Sequence, residues 1–366
     1  MLDLLSRLGL SVCLAYCSQR GIGRVRITRR WVVDVPLVVM IVILSLFCGL
    51  RTNFNDTRVY IDSFLEAQSV GSLFEHKINL LNNPLFHLFQ SIFRHHISDN
   101  YHLYLVVIAF FSVCSFVRFI KAHSVSFPFS IILFFAIGLY ISNFAAMKQC
   151  IAMAILTYAI SALLKRRYLR FYALVFLAML FHSYAIMLIV LPLFMNKPWT
   201  LTTYVSIAAI AFVLFTFETT ITSFLEYAED LGKNISEDIV FDTDSINIFR
   251  LAVFGVPPVL SFLFRKRLSN SSTEYNLAMN MSILSFLVMC LGLISAGNLF
   301  GRSAIYFEIG TIVVLPYIIK HVFERRSAKM VIGIASCCYF AFFLYDMQSF
   351  VSSFNKISFM EFLLTL

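Results

Sequence analysis

Apolar runs recur along the whole chain, separated by short basic clusters. They cover residues 31–50, 101–120, 127–147, 150–164, 168–194, 201–217, 246–264, 277–296, 303–319 and 330–345. Each is long enough, or nearly so, for a helix rising about 1.5 Å per residue to cross a hydrocarbon layer roughly 30 Å thick. The pattern predicts an all-α polytopic membrane protein. It reads as a single membrane-embedded domain over 1–366, a bundle of about 10–12 transmembrane helices. Two longer polar loops interrupt it, at 51–100 and 218–245. The opening stretch 2–17 is apolar but short and carries Asp3 and Arg7. Its positive charge follows the apolar part, whereas a secretory signal has it in front, so this is a weak first span or an interfacial helix.

Composition removes the soluble alternative. Hydrophobic residues make up 60% of the chain and charged residues 13%, against about 25% charged in soluble domains. The net charge of +9 is carried by clusters between the apolar runs, which is a topology signal and not a nucleic-acid footprint. The cysteines lie mostly inside apolar segments, and the one close pair, Cys337 and Cys338, is adjacent and lacks metal-ligand spacing. No repeat, Walker sequence or dinucleotide fingerprint occurs, and neither a cofactor nor a metal is expected.

The basic clusters at 20–30, 118–121, 165–170, 265–267 and 320–329 belong on the cytoplasmic side. Parity then tests the spans. Between the third and fourth clusters lie three apolar runs, and an even number of crossings is required. The simplest solution splits 168–194 into two short helices or a re-entrant pair turning near His182, because broken helices are tolerated where they line a cavity. Lys197 then returns to the cytoplasmic side, and loops 51–100 and 218–245 both become extracytoplasmic. The second is strongly acidic, with Glu218, Glu226, Glu229, Asp230, Glu237, Asp238, Asp242 and Asp244 around a single Lys233.

This topology gathers Arg51, Asp56, Lys148, Gln149, His182, Arg250, Asn298 and Arg302 at or near the extracytoplasmic face. Cations there oppose the usual charge bias, and ionisable groups at membrane depth are functional candidates by default. Arginines with one lysine suit an anionic ligand, and in a membrane cavity a lipid pyrophosphate is the natural one. The bland alternative is that each cation snorkels to the interface or pairs with a nearby carboxylate. His182, in an apolar stretch, could act as general base or bond a substrate hydroxyl, or simply pack. His76, His87, His95 and His96 lack metal-site spacing and read as surface residues of the first loop. In that loop Tyr60, Phe64, Leu85, Phe86 and Phe89 recur at helical spacing, which predicts amphipathic helices on the membrane surface.

Taken in order, these elements resemble the EpsG-like, Wzy-type polysaccharide polymerases. Arg51, Asp56 and Tyr60 are similar to that family's arginine, aspartate and tyrosine after an early span. Met147-Lys148-Gln149-Cys150-Ile151-Ala152 resembles its "RQxxA" helix start and Phe181-His182-Ser183-Tyr184-Ala185 its "FHxSA" element. Asn298 through Arg302 to Tyr306-Phe307 resembles the late "R…YF" element, and Arg250 ahead of Pro257-Pro258 falls where the family has an arginine. Two departures stand out: Lys148 replaces the usual arginine, losing the planar fork, and Asn55 replaces a glycine.

The resemblance implies a polymerase joining undecaprenyl-pyrophosphate-linked repeat units into O-antigen, capsule or exopolysaccharide outside the bacterial cytoplasmic membrane. A chain-length regulator and a flippase are its possible partners. For that reaction His182 and Asp56 are the candidates for catalysis, and Arg51, Tyr60, Lys148, Gln149, Arg250, Asn298, Arg302 and Tyr306 those for binding the substrate. The competing readings are a lipid-linked oligosaccharide flippase and a membrane acyltransferase using His182. No repeat pair supports the first, and the proposed face of His182 opposes the second.

Overall fold

The protein was analysed as a computed structural model, which describes residues 1–28, 31–71, 80, 82–216, 227, 245–294, 296–348 and 353–365. The acidic loop at 218–245 lies almost entirely outside the described residues. Among those described, five helices are long and apolar enough to cross a membrane, Tyr101–His123, Met147–Leu164, Thr273–Leu291, Gly297–Val322 and Arg325–Asp346, with shorter apolar helices between them. The protein is thus all-α and polytopic, and it folds as two compact units: Met1–Ala162 with Leu169–Ala185 and Ile332–Leu366, and Leu163–Tyr168 with Ile186–Val331.

In the first unit, helix α1 (Leu2–Arg20) buries Leu4, Leu8, Ser11, Ala15 and Ser18, one stripe at alternating steps of four and three. The hairpin of β1 (Arg24–Arg26) and β2 (Val32–Asp34) returns the chain into α2 (Val35–Gly49). Asp34 caps α2, accepting from the Leu37 amide at 3.1 Å. Ser18 bonds Asp34 at 2.9 Å at one end of the pair, and Arg7 lies 5.7 Å from the Phe47 ring at the other, so α1 and α2 run antiparallel. The opening stretch is therefore a 19-residue helix packed against α2.

Strand β3 (Arg51–Asn53) pairs with β4 (Asn355–Lys356) near the C-terminus, and Lys356 bonds Asp3 at 2.9 Å. Helices α3 (Thr57–Leu65) and α4 (Pro84–Ile92) follow, then a π-helical turn (Phe93–Ile97) and the long α5 (Tyr101–His123). Gly49 is where α2 meets α5. A Cβ there would lie 2.5 Å from the Val106 Cα, so only glycine permits the contact.

The run at 127–147 is broken. Helix α6 (Phe127–Ala136) stops after ten residues, roughly 15 Å. The chain turns at Gly138 (φ +84°), makes one helical turn (Ser142–Ala145) and enters α7 (Met147–Leu164). Hydrophobicity alone could not show this, because Gly138, Ser142 and Asn143 are the only residues of the break that are not hydrophobic. It is made tolerable by side chains that take up freed carbonyls: Cys48 Sγ reaches the Asn143 carbonyl at 3.4 Å and the Thr57 hydroxyl lies 3.2 Å from that of Phe144.

The run at 168–194 breaks near His182. Helix α8 (Tyr168–Phe181) ends at His182, and a 3-10 helix (Ser183–Phe194) follows.

The second unit contains α9 (Leu201–Phe215), α10 (Ile248–Leu263), α11 (Thr273–Leu291) and α12 (Gly297–Val322). Helices α11 and α12 touch backbone to backbone at Gly310, where a Cβ would sit 2.6 Å from the Met281 Cβ and 2.7 Å from the Ala278 carbonyl. Asn280 donates to the carbonyls of Phe194 (2.7 Å) and Asn196 (2.9 Å), closing the end of the 3-10 helix. The chain then runs through α13 (Arg325–Asp346), which begins in the second unit and ends in the first, to a short α14 (Phe359–Thr365).

Candidate functional site

Arg51 leaves the C-terminal end of α2, and its side chain folds back beneath that helix. Nη1 donates to the Cys48 carbonyl at 2.8 Å and Nε to the Thr57 hydroxyl at 3.1 Å, while Nη2 makes no hydrogen bond. A cation is favoured at a helix C-terminus, which explains the first contact. Arg267 caps α12 in the same way, donating to the Val322 carbonyl at 2.8 Å, but from an exposed position. Arg51 is 1% exposed, and among the described residues no carboxylate lies within ion-pair distance of it. Thr57 follows Asp56, the half-buried residue at the start of α3, so Arg51 fixes the segment carrying the aspartate.

Lys148 opens α7 half-buried, with its ammonium 5.0 Å from the centre of the Phe86 ring. Tyr60 of α3 meets the same ring edge-on at 5.9 Å. Two residues far apart in sequence thus converge on α4 through Phe86, which is fully buried. Gln149, next along α7, is buried. His87, beside Phe86, opens to solvent within a concave wall. Desolvation by that wall, and then the charge of Lys148, hold its imidazole below the ordinary histidine range.

The segment carrying His182 meets the N-terminal end of the same helix, α4. The His182 amide closes the last turn of α8 on the Ala178 carbonyl at 2.9 Å, its ring meets Tyr184 at 5.1 Å, and the next amide, Ser183 N, donates to Asn83 Oδ1 at 3.1 Å. Asn83 stands in front of Pro84, which opens α4, with a left-handed backbone (φ +56°) that asparagine tolerates better than most residues.

Helix α4 is therefore the hub of the first unit's site, and its apolar face is turned inward instead of onto a membrane surface. Phe64 of α3 stacks on Tyr104 of α5 at 4.5 Å, and Phe89 lies 5.7 Å from the same ring. Sequence reading named the aromatics but missed Asn83, Thr57 and His87 as members of the site. The one signal available for them was the Asn-Pro dipeptide, a turn and helix-start marker. His95 bonds the Ala67 carbonyl at 3.0 Å and Arg94 reaches those of Phe64 and Ala67 at 3.4 Å, so these two close the end of α3.

The remaining predicted residues lie in the second unit. Arg250, on the first turn of α10, is half-buried with its guanidinium 5.7 Å from the Phe254 ring. Asn298, Arg302 and Tyr306 fall at steps of four on α12, hence on one stripe. It runs from exposed Asn298 and Arg302 to Tyr306 at 2% exposure. Glu308, fully buried two residues further on, was not singled out from the sequence. It is the sole acidic residue in the run 303–319, which is the signal that could have marked it.

No curated protein and no solved structure matches the chain. The sequence profile of the EpsG family matches residues 34–361, which include every residue of the site just described. The chain belongs to the EpsG family, whose members have a polysaccharide polymerase-like role.

Proposed function

We propose that this protein joins oligosaccharide repeat units carried on a lipid pyrophosphate into a surface polysaccharide, at the outer face of a bacterial cytoplasmic membrane. The observation that supports this most is the pair of cations in the first unit. Arg51 and Lys148 have no carboxylate partner among the described residues, and they stand on the same small set of elements as Asp56, Tyr60 and His182. A buried charge without a counter-charge is unfavourable unless something else supplies one. A departing pyrophosphate does so at the moment its charge develops.

In the reaction the oxygen of an acceptor sugar hydroxyl bonds to the anomeric carbon at the reducing end of the growing chain. The bond from that carbon to the lipid pyrophosphate breaks, its electron pair leaving on the phosphate oxygen. The hydroxyl proton passes to a base, and His182 or Asp56 is the candidate. Lys148 meets the anion directly. Arg51 is sealed in the protein, so it contributes through its field and by holding Thr57 and Asp56. Arg250, Asn298, Arg302 and Tyr306 give the second unit polar groups and cations of its own for the substrate.

The test compares lipid-linked and surface glycans from cells with and without the gene. The proposal expects a ladder of repeats to collapse to single units when the gene is lost. Disappearance of all surface repeats, single ones included, would identify a flippase instead.

A further inference from the structure

Between α3 and α4 the first unit holds an open cleft of about 500 Å³ that none of the roles above uses. It falls within the roughly 300–1,000 Å³ typical of small-molecule sites. Val59, Asp62, Ser63 and Glu66 present one face of α3 to it, and His87 and Gln90 one face of α4, with Ala67 and Gln68 at the rim. Helical spacing requires that grouping: 59, 62, 63 and 66 share a stripe, as do 87 and 90.

The chemistry of the wall is unusual for an exposed surface. Asp62 and Glu66 are both exposed, and among the described residues neither makes an ion pair. Gln90 is 1% exposed. Its Oε1 accepts from the Ser63 hydroxyl at 3.3 Å, while its Nε2 makes no hydrogen bond of ordinary geometry, although the Tyr104 hydroxyl is near enough to interact with it. Among the described residues no lysine or arginine lines the cleft. Carboxylates only accept hydrogen bonds and amides do both, so the wall is matched to a ligand with many hydroxyl donors. Val59 and Ala67 give it an apolar strip for C–H surface. His87 connects the cleft to the site, since the charge of Lys148 acts on it.

We infer that this cleft is the subsite for a sugar of the incoming repeat unit, and that it selects an uncharged sugar over an acidic one. Asp62 and Glu66 receive hydroxyl protons, Gln68 and His87 donate or accept at the rim, and a uronate carboxylate is turned away by like charge. The inference rests on the polymerase reading, because only there does a free sugar end need to be held beside Lys148.

The full-length protein in nanodiscs is tested by saturation-transfer NMR with methyl glucoside, methyl N-acetylglucosaminide and methyl glucuronoside. Transfer is expected to the two neutral glycosides, at least fivefold above that to the glucuronoside, and lost in the double variant Asp62→Asn, Glu66→Gln. Both positions are exposed, so the substitutions leave the fold intact. In cells the double variant is expected to shift the ladder to short chains at unchanged protein level, with Asp99→Asn, an exposed acidic control, leaving it normal. Equal or stronger transfer to the glucuronoside overturns the selectivity. Transfer and ladder both unchanged in the double variant overturn the subsite, and so does transfer whose only loss follows from a basic peptide competing for the carboxylates. A ladder that survives deletion of the gene overturns the polymerase reading instead, whatever the glycosides do.

Discussion

The two ends of α2 treat charge in opposite ways. At the N-terminal end, Asp34 caps the helix, bonds Ser18 and forms ion pairs with Lys121 and, at 3.6 Å, with Arg24. Burial raises the Asp34 carboxyl, but the hydrogen bonds from Lys121, Ser18 and the Leu37 amide together outweigh it, and the group sits below the usual aspartate range. At the other end Arg51 is buried more deeply and has only neutral hydrogen-bond partners. An ordinary capping arginine explains the contact with Cys48 but not the burial, as exposed Arg267 makes the same contact on α12. Charge that is fully compensated serves the fold. Charge left uncompensated at membrane depth has to serve something else.

The sharpest way to break this comparison is Arg51→Met. Replacing a buried ion by an apolar side chain of similar length is often neutral or stabilising. The expected result is thermal stability in detergent equal to or above wild type, with polymerisation down at least about 10²-fold, the range for losing one electrostatic stabiliser. A variant that unfolds and keeps its ladder per folded molecule would make Arg51 a capping residue and nothing more.

Next in size is Lys148, where the charge and its geometry can be separated. Lys148→Gln removes one charge-assisted contact, worth roughly 1.5–3 kcal/mol, or about 10- to 150-fold in polymer yield. Lys148→Arg restores the side chain that the family motif carries and is expected to polymerise at least as well as wild type, because the planar fork adds a second contact. A fall with arginine equal to that with glutamine would mean that the Phe86 contact, not the anion, fixes the identity of this residue.

Much of this contrast is legible in the amino-acid sequence. The break at His182 is expected from counting crossings between basic clusters, and the candidate site residues are expected from the face that the same count gives their cations. Three features are not legible there. The break after Ala136 is hidden because Gly138, Ser142 and Asn143 are too few to interrupt a long apolar run, and two of the groups that stabilise it, Cys48 and Thr57, are distant in sequence. The role of α4 is hidden because an aromatic stripe looks alike whether it faces lipid or Tyr104. The difference between Asp34 and Arg51 is hidden because partners such as Lys121 are 87 residues away, and a one-dimensional pattern does not say which charges meet.

At the compensated end the expected effect is on stability and not on activity. Asp34→Asn keeps the shape of the cap but leaves Lys121 beside a neutral amide. The loss expected is about 1.5–3 kcal/mol for the hydrogen bonds to a charged group, nearly all of it through Lys121, because Arg24 is half exposed and its pair is screened. Polymer yield per folded molecule should stay at the wild-type value. If yield falls while the melting temperature holds, the two ends of α2 are not opposites.

The smallest effect is the pH dependence of that same cap. The folded carboxyl of Asp34 is held below its unfolded value, so the unfolded chain binds the proton more readily than the folded one. Stability from Asp34 is therefore fully present above the unfolded value, about 4, and is lost as pH falls from there through the folded value. Thermal unfolding of wild type and Asp34→Asn across pH 7 to 3 isolates it, because other carboxylates, including Asp3 with its Lys356 partner, titrate equally in both proteins. The gap between the two melting temperatures should be constant from pH 7 to about 5 and close below about 4. A gap that persists unchanged to pH 3 would show that the cap works by shape alone, and the contrast between paired and unpaired charge on α2 would lose its stronger half.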